Sequence, residues 1–506
     1  MSASTTGLSI NYAVFSGYLD MSEKDAEDVA PIIANLTQNT SLTSLKLRRN
    51  ELGAEGATSL AEKLAHNSSL TGLDLCTNQL GDQGAVPLAL ALTQNTSLIN
   101  LDLSDNQLGA EAAAALVQAL IFNSSLISLD LSHNKLGPES ADPLAGMLTH
   151  NSSLTNLDLG FNGLRANGAA ALAGALTTNS SLTSLSLRGN PLGAEGAVPL
   201  ARALTQNTSL TGLDLGASQL GDESASAFAQ ALTVNTSLTN LNLGANQLGV
   251  EGAASLAKAL TINTSLTNLN LGNNLFGSTG GALIAGALTQ NSSLTTLCLR
   301  YNMLGNAHGV DSLARVITQN TSVTDLDLAD NLLGANGVAT LAGALAQNTT
   351  LINLNLVGNT LGLVGCAALV QALMQNSSLT CLGLGGGHLG PETPSQLQSI
   401  QSLLERNRRN ADARCLPLEA LYARHFARQV FESYSSEDKN GVYYQIWRHS
   451  GWPKEAQFGE NNVFTVDWSL FLKSVTDAGL DLKKGVELFL QDAGVSRHYA
   501  YHVTLV

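Results

Sequence analysis

The chain has 506 residues, 44% of them hydrophobic but only 5% aromatic, and a formal charge of −15. An excess of Leu and Ala over Phe and Trp suits thin stacked layers better than one broad core. The charge deficit lies wholly in residues 1–406, with 13 Lys+Arg against 28 Asp+Glu, while residues 407–506 hold 12 of each; an acidic surface repels phosphate, which excludes nucleic acid and anionic membrane as partners of this region and favours a basic protein patch.

Residues 1–20 contain no Lys or Arg and no sustained apolar run, so no Sec-type leader is expected, and nothing later approaches the ~18 apolar residues of a membrane span. Residues 29–38 repeat the pattern of a later helical stretch, Val86-Pro-Leu-Ala-Leu-Ala-Leu-Thr-Gln94. Residues 1–38 are therefore expected to cap whatever layers follow.

From Asn39 the sequence falls into lines of 28. The first reads Asn39-Thr-Ser-Leu-Thr-Ser-Leu-Lys-Leu-Arg-Arg-Asn50-Glu-Leu-Gly53, then a helical stretch to His66. Further lines start at Asn67, Asn95, Asn123, Asn151, Asn179, Asn207, Asn235, Asn263, Asn291, Asn320, Asn348 and Asn376, which makes thirteen. In the first half Leu45 and Leu47 alternate with Ser44, Lys46 and Arg48, the period of a strand that hides its leucines. In the second, Ala57, Leu60, Ala61 and Leu64 recur at helical spacing. Strand and helix can bury each other, and a helix that returns each strand parallel to the last builds a solenoid.

The Asn50 column recurs at Asn78, Asn106, Asn134, Asn162, Asn190, Asn246, Asn274, Asn302, Asn331 and Asn359, and breaks at Ser218 and Gly387. A side-chain amide there can bond the backbone groups that the strand-to-helix turn leaves unpaired. The ladder is expected to weaken at Ser218 and end at Gly387. The one 29-residue step, between Asn291 and Asn320, carries its extra residue between Leu304 and Leu313, which predicts a bulge at residues 306–309 that leaves the strand register intact.

The pattern Leu-x-x-Leu-x-Leu-x-x-Asn-x-Leu-Gly with a helical second half resembles the ribonuclease-inhibitor class of leucine-rich repeat. Cytosolic immune-receptor domains and effectors of intracellular bacteria share that class. The resemblance covers residues 39–406 and implies an α/β horseshoe, with the parallel sheet on the concave face, helices on the convex face, and protein binding on the concave side. It does not imply which protein.

Residues 407–506 change character: residues 411–506 hold 15 of the 23 aromatics and all three tryptophans, Trp447, Trp452 and Trp468. Helical spacing at Leu418, Leu421, Tyr422, Phe426, Val430 and Phe431 makes this a small, mainly helical C-terminal domain.

Five cysteines, Cys76, Cys298, Cys366, Cys381 and Cys415, are odd in number and lack metal-ligand spacing, so they read as reduced thiols in a reducing cytoplasm. Cys415 with His425 or His449 has no catalytic spacing, and Leu416-Pro417 after Cys415 departs from the Cys-x-Asp motif of bacterial repeat-linked ligases. The loop Ser436-Glu-Asp-Lys-Asn-Gly441 has calcium-loop composition, but Ser436 and Trp447 stand where carboxylates are needed. No catalytic, cofactor-binding or metal site is expected, and no phosphate-cradling glycine loop appears. Asn-x-Ser/Thr at each line start matches a glycosylation acceptor, yet its lockstep with the repeat makes it a turn.

The exposed strand column reads Lys46, Asp74, Asp102, Asp130, Asp158, Ser186, Asp214, Asn242, Asn270, Cys298, Asp327 and Asn355. It is either mere solvent-facing consensus or an acidic ladder for a partner's Lys and Arg. Departures from consensus carry more weight, since an aromatic on an exposed strand face needs a reason. These are Phe161, Arg188, Arg300 and Tyr301, with Lys46, Arg48 and Arg49 in the first line. The expected binding patch is Phe161, Arg188, Asp214, Arg300 and Tyr301.

Function then reads as a protein-interaction scaffold, not an enzyme, acting as a monomer without cofactor; the bacterial resemblance implies an effector delivered into a host cell's cytosol and a role in virulence. The alternative keeps the solenoid as a substrate receptor and makes the C-terminal domain an enzyme or adaptor, for example in ubiquitin transfer.

Overall fold

The computed structural model describes residues 17–385 and 394–415. Gly387, and the expected C-terminal domain beyond residue 415 with its histidines and aromatics, lie outside the described residues.

Fourteen strands form one parallel sheet in chain order. They are β1 (Gly17–Asp20), β2 (Leu42–Lys46), β3 (Gly72–Asp74), β4 (Asn100–Asp102), β5 (Ser128–Asp130), β6 (Asn156–Asp158), β7 (Ser184–Ser186), β8 (Gly212–Asp214), β9 (Asn240–Asn242), β10 (Asn268–Asn270), β11 (Thr296–Cys298), β12 (Asp325–Asp327), β13 (Asn353–Asn355) and β14 (Cys381–Gly383). A helix follows each, such as Gly53–Leu64 after β2. Strands stand ~4.8 Å apart whereas packed helix axes need about 8–10 Å. Each layer is thus a wedge, and the sheet takes the concave side of the solenoid.

The first repeat shows the packing: Leu42, Leu45, Leu47 and Leu52 from the strand half and Ala57, Leu60, Ala61 and Leu64 from the helix are all at most 6% exposed. Each buried leucine contributes about 1.5–3 kcal/mol. Helices approach through small residues, so that a Cβ at Gly84 would stand 3.0 Å from Ala57 Cβ and 3.2 Å from Ala54 Cα. The aromatic-poor composition follows from that spacing, with Phe228 and Phe276 the largest side chains wholly buried.

Two asparagine ladders tie the layers. In the strand-to-helix turn, Asn246 Oδ1 accepts the Ser218 and Leu220 N–H groups at 2.8 and 3.4 Å, and its Nδ2 donates to the Leu215 and Gly244 carbonyls at 2.8 and 3.1 Å. At the repeat start, Asn67 Nδ2 donates to Leu36 O at 2.7 Å while its Oδ1 accepts from Ser69 and Leu70 N–H. These starting asparagines are buried, so their amides are structural and the glycosylation pattern is incidental.

Ser218 bends the first ladder without cutting it. Its Oγ donates to Leu187 O at 3.3 Å, but it offers no amide oxygen to the preceding turn, so Leu192 N turns instead to Ser218 O at 3.0 Å and Asn190 N to Leu187 O at 3.3 Å. Among the described residues the buried Oδ1 of Asn302 has no hydrogen-bond partner.

The extra residue of the tenth repeat sits where the leucine spacing places it. Register across β11 and β12 is unbroken, Leu297 opposite Leu326. The following helix starts late, at Ala307, with Asn306 Oδ1 accepting from Gly309 N at 3.0 Å as its cap.

At the N-terminal end the helix Ala26–Asn35 is joined by β1, a strand that the sequence pattern did not announce. β1 pairs with β2, Leu19 opposite Leu45. Lys24 N donates to Asn50 Oδ1 at 2.6 Å, so the ladder runs into this layer. At the other end, Ile400 and Leu404 of the helix Pro394–Cys415 are buried. A second unit begins at Glu405, and its described part is residues 405–415.

Candidate functional site

The solvent-facing side of the sheet carries three parallel rows of side chains, one of them past the strand ends. In the central row, Asp74, Asp102, Asp130 and Asp158 each accept the N–H two residues on, at 3.0, 2.9, 2.8 and 2.7 Å. Asp214, Asn242 and Asn270 do the same to Gly216, Gly244 and Gly272 at 2.8, 2.9 and 2.9 Å. The turn uses an oxygen there, which is why most of the column is Asp or Asn, with Lys46, Ser186 and Cys298 among the departures. Charge is the remaining freedom: the four consecutive aspartates make β3–β6 acidic, while Asn242 and Asn270 leave β9 and β10 neutral with outward amide donors.

Burial pushes the Asp74 and Asp130 carboxyls above the usual range against the pull of the N–H bonds from Cys76 and Ser132, and the neighbours Asp102 and Asp158 add to the rise. Burial likewise pushes the Cys298 thiol up to about 11, with Asp327 beside it raising it further. Cys298 donates to Asp327 Oδ2 at 3.6 Å; a thiol held protonated is a weak nucleophile. The four described cysteines, Cys76, Cys298, Cys366 and Cys381, are unpaired.

Arg188 and Arg300 lie two residues past the ends of β7 and β11, on the exposed face in step with Ser186 and Cys298. Phe161 and Tyr301 differ from expectation: they are not on strands but one residue further, in the turn, both in the left-handed region with φ 55 and 53. The chain leaves the strand plane there, so the rings form a rim beside the face. Phe161 stacks on His133 with centroids 4.3 Å apart and the planes 14° off parallel. A Cβ at Gly189 would stand 2.4 Å from the Phe161 ring, so Gly189 is required by both its φ of 69 and the ring above it. Tyr301 carries the Arg300 guanidinium 5.1 Å from its ring centre.

Between the arginines the row past the strand ends reads Gly216, Gly244, Gly272. A Cβ on Gly216 would meet Arg188 Nη1 at 2.8 Å, and one on Gly272 would meet Arg300 Cγ at 2.7 Å. Both side chains therefore lean into the glycine run from opposite ends. Beside it a shallow groove of about 470 Å³ crosses β7–β11, lined among others by Ser186, Asp214, Asn242, Asn270 and Cys298. Arg188, Asp214 and Arg300 thus share one surface with Tyr301 at its edge, whereas Phe161 stands one repeat outward. The glycine run was the feature not read from sequence. Its signal was present as glycine in one column of three successive repeats.

A family model described as Leucine Rich repeat matches residues 38–61, 66–89, 94–117, 122–145, 150–173, 178–201, 319–342 and 347–370. Another, described as TMOD/LMOD Leucine-rich domain, matches residues 192–313. Among solved structures, a chain of the yeast Rad7 and Elc1 complex is 18% identical, with 66% of this chain and 79% of that one covered and a TM-score of 0.45. Leiomodin-1 actin-binding site 2 is 17% identical over 44% of this chain and 92% of that one, with a TM-score of 0.23. No curated protein matches by sequence. The chain carries leucine-rich repeats, and they fold as one parallel-sheet solenoid. No helix among the described residues is long and apolar enough to cross a membrane.

Proposed function

We propose that the protein is a non-catalytic scaffold that holds another protein against the concave face of its sheet, through Phe161, Arg188, Asp214, Arg300 and Tyr301. The observation that carries this reading is the pair of arginines leaning into one glycine-floored surface beside a stacked tyrosine. Neither has a repeat-maintaining role, and the other repeats fold without them. The column of Phe161 and Tyr301 is left-handed in the other repeats too, where it holds polar or small residues such as Thr77, Asp105, Ala217, Asn273 and Gly358, so it is the aromatic ring and not the backbone that sets these two apart.

The 28-residue period with a full helix in each repeat supports membership of the ribonuclease-inhibitor class. With that resemblance goes the role of a bacterial effector acting, as a monomer, in a host cell's cytosol. The partner is to be captured from host cytosol and its affinity measured against single variants. Phe161→Ala and Tyr301→Ala are each expected to weaken it by ~1–3 kcal/mol with thermal stability retained, and charge reversal at Arg188 or Arg300 to slow association most. Unchanged affinity in all four variants refutes the concave site.

A further inference from the structure

We propose that the notch between Arg188 and Arg300 receives an acidic segment of the partner protein, two of whose carboxylates lie three or four residues apart. This rests on the concave-face reading above and adds to it the chemistry of the ligand.

The notch is made by subtraction. Its column carries side chains in other repeats, such as Arg48, Cys76, Ser104 and Ser132, and single glycines at Gly160 and Gly385, but between the two arginines three successive repeats have Gly216, Gly244 and Gly272. The backbone at these three has no positive φ, so the turn does not demand glycine there. What their bareness provides is room, which the two arginine side chains enter from either end. Neither arginine makes an ion pair within 4 Å among the described residues, unlike Arg49, which is held at 3.0 Å by Glu23. The Arg188 guanidinium thus enters the notch from one end and the Arg300 stem from the other, its guanidinium carried at the edge by Tyr301, and the amides of Asn242 and Asn270 keep their Nδ2 donors to offer, their oxygens being committed to Gly244 and Gly272 N–H. Asp214 is the one carboxylate of the central row in β8–β10. Around the two arginines the charged groups of the surface are thus two cations to one carboxylate, Asp214, whose Oδ1 is committed to Gly216 N–H, and a carboxylate is the group that matches a guanidinium fork.

Spacing and charge narrow the occupant. Gly216 and Gly272 are two strand steps apart, about 10 Å, a distance that an extended peptide crossing the strands covers in three residues at ~3.3 Å each. A long polyanion is disfavoured, because the surface continues into Asp158, Asp130, Asp102 and Asp74 of the neighbouring repeats and the chain carries −15 overall. A short acidic stretch fits between; a partner's basic residues can follow it over the aspartates.

The test uses the full chain and fluorescent synthetic peptides of a Gly/Ser frame carrying two glutamates at i and i+3, the same peptide with two glutamines, and a single-stranded oligonucleotide of matched length. The diacidic peptide is expected to bind, and Arg188→Glu with Arg300→Glu to weaken it by about tenfold or more. Gly244→Leu, which fills the notch without touching charge, is expected to weaken it comparably while the melting temperature stays with the parent's. Should Gly244→Leu unfold the array, Gly216→Ala replaces it, since a methyl there meets only side-chain ends, Arg188 Nη1 at 2.8 Å and Asn242 Nδ2 and Asp214 Oδ1 at 3.1 Å, and no backbone. Equal binding of the glutamine peptide, or diacid binding indifferent to the arginine reversals, overturns the proposal. An oligonucleotide that binds more tightly through the same arginines overturns it in favour of a general anion site. If the peptide fails while a captured partner still responds to Asp214→Ala and Tyr301→Ala, the acidic-segment inference alone falls; if the partner ignores every concave substitution, the reading beneath it falls as well.

Discussion

One asparagine per turn holds this fold at the residue scale. Asn246 makes four hydrogen bonds from a wholly buried side chain, and alanine there strands the Ser218 and Leu220 N–H groups and the Leu215 carbonyl, Gly244 O keeping the Ala217 N–H at 2.8 Å. We expect Asn246→Ala to cost on the order of 1–3 kcal/mol in urea unfolding, and unchanged stability would show that the amide is dispensable. The reverse experiment is available at Ser218, where Asn190 N now makes do with Leu187 O at 3.3 Å. Ser218→Asn should restore the rung and gain about 1 kcal/mol. Both ladders were legible in the sequence, because a buried amide at a fixed interval leaves a column that no other side chain replaces well. The Asp/Asn column was less so. Asp and Asn share the one oxygen that the turn uses, so a sequence cannot divide structural need from surface charge until the bond to the N–H two residues on is seen.

The strand is the element on which that division becomes measurable. Asp74 and Asp130 keep their turn bond as asparagine but lose a charge that burial penalises. Their folded-state pKa values lie above the ordinary 3.8, so the native state binds these protons more tightly than the unfolded chain. Stability is then lost as pH rises from 3.8 through the folded values, and the penalty is complete above them. The double variant Asp74→Asn, Asp130→Asn should therefore melt higher than the parent at pH 7, with the gap closing as pH falls below about 4. A gap that widens in acid would reverse the sign of the argument. Other elements divided differently between sequence and structure. The late helix start at Ala307 followed from leucine spacing alone, whereas β1 did not, since Gly17-Tyr-Leu-Asp20 lacks the two-leucine alternation and is recognised as a strand only by its pairing with β2. As departures from the repeat consensus Phe161 and Tyr301 read as aromatics on the exposed strand face; the left-handed turn begins sooner, and they belong to the rim.

For the whole molecule, stacking makes function a matter of rows. Each repeat contacts its neighbours, and stability sums over layers, so a face can change side chains in several successive repeats without disturbing the core beneath. Here the concave face divides into an aspartate stretch over β3–β6 and a donor-lined notch over β8–β11. On the helix side the exposed apolar groups include Leu90, Phe122, Val234 and Ile262, at 64, 77, 60 and 60% exposure. They give a control surface of comparable hydrophobicity. Whether a partner is held by the sheet face is tested most directly by the affinity of a captured partner for two quadruple variants. One carries Phe161→Ala, Arg188→Glu, Arg300→Glu and Tyr301→Ala; the other carries alanine at Leu90, Phe122, Val234 and Ile262. The first is expected to lose at least about a hundredfold in affinity while the second binds as the parent does; loss of binding in the second with retention in the first would place the partner on the helices instead.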